Sequence, residues 1–161
     1  TLNVRYHYQP AYFLQEALAD HCAHNRRGDC GIMALTFITM CRIAGIPARW
    51  QSGLFAAPPE VACHVWAMFY VAPKGWMYAD CSFGASQARR GDEVLRRHYF
   101  GNLDTDRMVA NRALGADFVP AMNGFREDPY DNQTGEVEAD GVGLWGDATE
   151  SKKEMLEYIE E

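Results

Sequence analysis

The stretch Asp29–Pro47 constrains the fold more than any other part of the sequence. Cys30 to Ala44 is mostly apolar, so a helix formed there has no broad polar face and must be covered on most of its surface. Asp29 is a favoured N-cap residue. Gly45 stands where a C-terminal glycine cap belongs, and Pro47 forbids continuation. The apolar run Ile32 to Cys41 is broken by Thr36 and Thr39 and falls well short of the roughly 20 residues a membrane span needs. It therefore reads as a buried helix, and no membrane span is expected.

The flanking sequence supplies the cover. Pro10 suits a first helical turn, and Phe13, Leu14, Ala17, Leu18 and Cys22 recur at helical spacing, which predicts a helix over about 10–23. After Pro47 the period changes. Strands are expected at Ala48–Phe55, His64–Val71 and Trp76–Asp80, with a loop at 56–60 and a turn at Ala72–Gly75. Helix, helix, then antiparallel strands gives an α+β class. Beyond Ser82 the pattern weakens. A helix is expected around Gly91–Leu95, a short strand near Glu136–Ala139, and a terminal amphipathic helix behind the capping box Ser151/Glu154.

The 161 residues make one domain's length, read as a single domain over 1–161. Its catalytic core spans about 10–120, and its acidic, loop-rich segment is 127–161. That segment carries a net charge of −10, against +3 for residues 1–126. No basic footprint of a nucleic-acid binder is present. The five cysteines are odd in number and include no CxxC pair. The chain starts at Thr1 without Met, which is expected of a processed or excised form.

Three residues carry chemistry. Cys30 follows Gly28-Asp29 at the start of the buried helix. Free N–H groups and the helix dipole are expected to favour a thiolate there and to hold a developing oxyanion. Gly28 and Gly31 are expected to leave room for a substrate. A thiol nucleophile needs a base, and the base needs an orienting group. His64 and Asp80, at opposite ends of two neighbouring strands, fill those roles. His21 and His24 invite a metal reading, set against plain helix-end polarity; four ligands are lacking, so no metal or cofactor is assigned. Trp66, Trp76 and Tyr78 are candidates for either a substrate groove or the core. Arg89, Arg90, Arg96 and Arg97 form a basic patch, either solvated or anion-binding.

Gly28-Asp29-Cys30-Gly31, Arg42-Ile43-Ala44-Gly45-Ile46-Pro47-Ala48-Arg49, Cys63-His64-Val65-Trp66 and Gly75-Trp76-Met77-Tyr78-Ala79-Asp80 together resemble the core motif of the transglutaminase-like superfamily, over residues 26–84. Tyr99–Asp104 and Gln133–Glu138 resemble the tail of bacterial members. The resemblance implies a papain-like α+β fold, with the cysteine helix packed on an antiparallel sheet. It implies acyl transfer through a Cys30 thioester, with His64 as base and Asp80 as orienting residue. The expected substrate is a peptide or protein, and hydrolysis of an amide is favoured over crosslinking. The alternative is a catalytically silent binding module. Bacterial relatives are often extracytoplasmic, and that location is expected here. Papain-like enzymes take a second oxyanion donor from upstream of the nucleophile; Asn25, Gln15 and Gln9 are candidates. Trp66, Asn25 and Asn102 are carried as substrate-binding candidates, and Asp104 and Arg107 border the site in the extended motif.

One geometric demand accompanies the triad. A hairpin turning tightly on Pro73-Lys74 sets residue 64 opposite residue 83. Asp80 would then be offset by an odd count, on the other face. A bulge, a shifted turn or strong twist is therefore expected near Ala72–Gly75.

Overall fold

The computed structural model describes residues 3–9, 12, 16–126, 133 and 135–159. The chain divides into two compact units, Thr1–Gln51 with Val65–Thr105, and Ser52–His64 with Asp106–Glu161. The class is α+β, as the sequence predicts.

The first unit is built around α2, Cys30–Ile43. The Ile32 amide donates to Asp29 Oδ1 at 2.9 Å and starts the helix where the sequence places it. Gly45 has φ +75° at the far end, and the Arg42 guanidinium reaches across the connection to the Ala48 carbonyl at 3.0 Å. Two clusters explain the unbroken apolar run. Ala34, Ile38 and Cys41 pack with Ala48, Trp50, Val65, Ala67, Phe69 and Ala79 of the sheet. Ile32 and Met33 pack with Val4, Tyr12 and Cys22. The helix is thus covered from two sides, and Thr36 satisfies its buried hydroxyl by donating to the Ile32 carbonyl at 2.7 Å.

Before it lie β1 (Arg5–Tyr6), α1 (Leu18–Asn25) and β2 (Arg27–Gly28), with β1 and β2 paired in parallel. The expected helix over 10–23 begins instead at Leu18. Ala17 takes φ +54°, a left-handed conformation that no α-helix continues through. Pro10, Phe13 and Leu14 lie outside the described residues.

The main sheet runs in the order β6-β5-β4-β3-β7. It comprises β3 (Ala48–Ala57), β4 (Glu60–Val71), β5 (Gly75–Ala79), β6 (Phe100–Gly101) and β7 (Arg107–Asn111). The loop expected at 56–60 shrinks to a turn at Pro58-Pro59. The β4–β5 hairpin pairs Val71 with Gly75 and continues to Ala67 with Ala79. The turn is therefore shifted by one residue, closing over Ala72-Pro73-Lys74 with Gly75 at φ +92°.

Two helices follow β5, namely α3 (Cys81–Arg90) and α4 (Glu93–His98). The second was expected and the first was not.

In the second unit, β8 (Val137–Ala139) pairs with β9 (Val142–Leu144), which realises the strand expected near Glu136–Ala139. The terminal helix does not form, and residues 149–159 carry no helix. Leu156 is 92% and Ile159 73% exposed. A short helix without a packed face does not recover its nucleation cost. No described helix is long and apolar enough to cross a membrane.

A bulge interrupts the β3–β7 ladder between Ser52 and Gly53. A Cβ on Gly53 would stand 1.9 Å from the Met108 carbonyl oxygen. Gly53→Ala is expected to destabilise the protein at or beyond the upper end of the about 1–3 kcal/mol usual for overpacking, read by urea unfolding. An unchanged midpoint would contradict the close approach of β7.

Candidate active site

Cys30 is the first residue of α2, partly buried behind the Asp29 cap. The amides of Gly31 and Val65 both donate to its sulfur. Burial nevertheless pushes the thiol up to about 12, with the Asp29 carboxylate adding to the rise and the two amides opposing it. The thiolate expected from the helix terminus is thus outweighed, and the resting form is a neutral thiol. Burial also raises the Asp29 carboxyl, while the Ile32 and Gly31 amides pull it down.

The two glycines serve packing rather than substrate access. A Cβ on Gly28 would lie 2.6 Å from Ile32 Cγ2, and one on Gly31 would lie 3.3 Å from the Trp50 ring and 3.4 Å from Asp29 Oδ1. Both positions are filled by the first turn's own neighbours.

Tyr6 was not anticipated from the sequence. In β1 it pairs with Gly28, two residues before the thiol. Its phenol is raised by burial first, then by charge on Cys30 and Asp29, yet the residue is 48% exposed. The only available signal was its place upstream of the motif, which carries no periodicity.

His64 is buried on β4, and its carbonyl accepts from Gln133 Nε2 at 2.5 Å. Asp80 is almost wholly buried and caps α3. Its Oδ1 accepts from the Phe83 amide and the Ser82 hydroxyl, each at 2.9 Å. Its own amide donates to the Tyr99 carbonyl at 3.0 Å. The Asp80 charge adds a smaller rise to the Cys30 thiol. Cys81 beside it is pushed up to about 12 by burial and then by Asp80.

The remaining candidates resolve differently. Trp66 is fully buried, with its indole N–H donating to Gln51 Oε1 at 2.7 Å; it belongs to the interior and lines no groove. Asn25 spends its amide on its own helix, at the His21 carbonyl (3.0 Å) and ring (3.2 Å), because it ends α1 where carbonyls lack partners. Gln15 lies outside the described residues. Asn102 is exposed after β6, its backbone amide bonded to the His98 carbonyl. Arg107 stacks on Phe55 at 4.9 Å, and Trp76 is covered by Arg49 at 4.1 Å. His24 bonds to the Asp20 carbonyl. Among the described residues no group of three or more His, Cys, Asp or Glu side chains is placed to hold a metal ion. Cys22, Cys30, Cys41 and Cys81 form no disulfide.

The carboxylate beside Cys30 gives a direct test. Asn caps a helix as well as Asp, so Asp29→Asn keeps α2 and removes the charge. Labelling of Cys30 by iodoacetamide at fixed alkaline pH is expected to rise severalfold relative to Cys81, whose thiol answers to Asp80 instead. An unchanged ratio would show that burial alone sets the Cys30 thiol.

Residues 1–81, about half of the chain, match the family described as the transglutaminase-like superfamily. No curated protein matches. Among solved structures, the chain is similar to the periplasmic domain of TgpA from Pseudomonas aeruginosa, at 22% identity and a TM-score of 0.39. The match covers 56% of this chain and spans 42% of that domain's length. The matched segment holds the capped helix with Cys30, the strand with His64 and the hairpin that delivers Asp80, and the chain belongs to the transglutaminase-like superfamily.

Proposed function

We propose that the protein is a thiol-dependent acyl-transfer enzyme acting on amide bonds of a peptide or protein. The observation that carries this reading is the setting of Cys30. It opens a capped helix, its sulfur receives the Gly31 and Val65 amides, and it feels the buried Asp80 carboxylate. Cys30 is the nucleophile, His64 the base and Asp80 the orienting residue.

The neutral thiol dictates the order of events. His64 takes the thiol proton as the sulfur attacks the carbonyl carbon, rather than sharing a preformed ion pair. The tetrahedral oxyanion meets the Cys30 backbone N–H at the open end of α2. Tyr6 is our choice for the second donor, in place of Asn25. Collapse breaks the C–N bond, the amine leaves with the proton from His64, and a thioester remains. We propose water as the usual acceptor, since it outnumbers any amine that no dedicated site holds. Placement outside the cytoplasm belongs to the same proposal and is checked by cell fractionation.

A silent binding module is the second reading, and the raised Cys30 thiol favours it. Hydroxylamine decides between the two, because it converts a thioester to a hydroxamate. Wild-type protein with a panel of amide peptides is expected to yield hydroxamate, and Cys30→Ser none. Tyr6→Phe is expected to lower the rate by about 100-fold, as loss of one oxyanion donor does. Wild-type protein that forms no hydroxamate with any peptide, while still binding some of them, would establish the binding module.

A further inference from the structure

The arginines of the basic patch stand on two packed helices of the first unit. Arg89 and Arg90 close α3, and Arg96 and Arg97 lie in the last turn of α4. Cations at helix C-termini complement the open carbonyls there, which is the plain reason for such residues. It does not account for their neighbours. Val94 is 80% and Phe100 61% exposed, and Leu95 is exposed as well. Phe100 stacks on Phe69 with ring centroids 5.3 Å apart and meets Phe37 edge-on at 6.3 Å, so one side of the ring is anchored while much of it stays open to water.

The strip is fixed in place. The Asp92 amide donates to the Gln87 carbonyl at 3.0 Å, and the Asn102 amide to the His98 carbonyl at 3.0 Å. The hairpin's own acids are engaged locally, Asp92 Oδ1 with the Leu95 amide at 2.9 Å and Glu93 with Arg96 at 2.7 Å. Arg89, Arg90 and Arg97 stay exposed. Residues 88–100 thus offer a preformed surface that is apolar and cationic at once. Its complement is an anionic segment with apolar side chains.

The second unit carries a segment of that chemistry. From Glu154 the sequence reads EMLEYIEE, with four glutamates and no base. Lys152 before it pairs with Glu154. Leu156 and Ile159 are open to solvent, and so is Glu157. The Tyr158 hydroxyl donates to Asp106 Oδ1 at 3.1 Å, which tethers the segment to its own unit. Two features that the fold leaves uncovered are therefore opposite in charge and alike in apolar character.

We propose that residues 154–159 of one copy dock on the α3–α4 surface of a second copy. Leu156 and Ile159 meet Val94, Leu95 and Phe100, and the glutamates face Arg89, Arg90 and Arg97. The contact joins two different surfaces, so it links copies head to tail. Exposed ion pairs contribute little each. The apolar side chains supply the attraction, and the charges set orientation and salt dependence.

The test is sedimentation velocity over a range of protein concentrations. It is run in about 0.01 M salt, where the screening length is about 30 Å, and in about 1 M, where it is about 3 Å. Wild type is expected to associate with rising concentration at low salt and to dissociate at high salt. Reversing the surface (Arg89→Glu, Arg90→Glu and Arg97→Glu together) or the tail (Glu157→Lys, Glu160→Lys and Glu161→Lys together) is expected to weaken association about tenfold or more, as loss of several exposed ion pairs predicts. The chain carrying both reversals is expected to regain it. The tail reversal and Leu156→Ser lie outside both apolar clusters, so they serve even where reversal at the helix ends harms folding; each is expected to weaken association at low salt. A wild-type chain that stays monomeric at low salt would overturn the proposal. So would association unchanged by the tail variants, or a double reversal that associates no better than the tail reversal alone.

Discussion

The carboxylate of Asp29 sets the terms for the whole first unit. Its bond to the Ile32 amide starts α2, and α2 is the element that both apolar clusters share. Remove a starting point for that helix and neither cluster has a common wall. The same carboxylate raises the thiol it introduces and is itself raised by burial. For an acid with a raised folded pKa, ionisation opposes folding above the ordinary carboxylate range. Asp29 therefore stabilises through its hydrogen bonds and not through its charge. Those bonds need an oxygen acceptor, which an amide side chain also provides. A charge that costs stability and suppresses the nucleophile restrains the cysteine in its resting state.

Burial and the Asp29 charge together hold the Cys30 thiol well above its ordinary range. A free thiolate reacts with any electrophile that reaches it. A buried thiol gives up its proton only when a base is placed to receive it. Asp80 Oδ1, by contrast, is held by two donors from residues two and three further along the chain.

Legibility in the sequence followed how local each signal was. Asp29, Gly45 and Pro47 act within one turn of the backbone, and α2 was read to within a residue of its ends. The hairpin over Ala72–Gly75 was foreseen as shifted because the triad and a tight turn disagreed in parity, and the structure shifts it by one. By contrast, α3 escaped notice. Cys81–Arg90 reads as CSFGASQARR, with a glycine in the middle and no apolar repeat; its start depends on Asp80, already allotted to a strand end. The early start of α1 was misjudged because apolar spacing does not report that Ala17 adopts φ +54°. The terminal helix had a capping box, yet a cap cannot replace a packed face for Leu156 and Ile159.

The site divides along the same line. Cys30, His64 and Asp80 were singled out by their order along the chain and by the motif blocks around them, since each residue alone has an ordinary structural reading. Trp66 left two readings open, core or groove, and its enclosed ring with the indole N–H on Gln51 places it in the core. The pKa direction at Cys30 was misread for a related reason. A helix terminus lowers a thiol pKa only while water or a cation can share in stabilising the charge. Here the first turn is packed so closely, with Gly28 and Gly31 forced by Ile32 and Trp50, that desolvation outweighs the dipole.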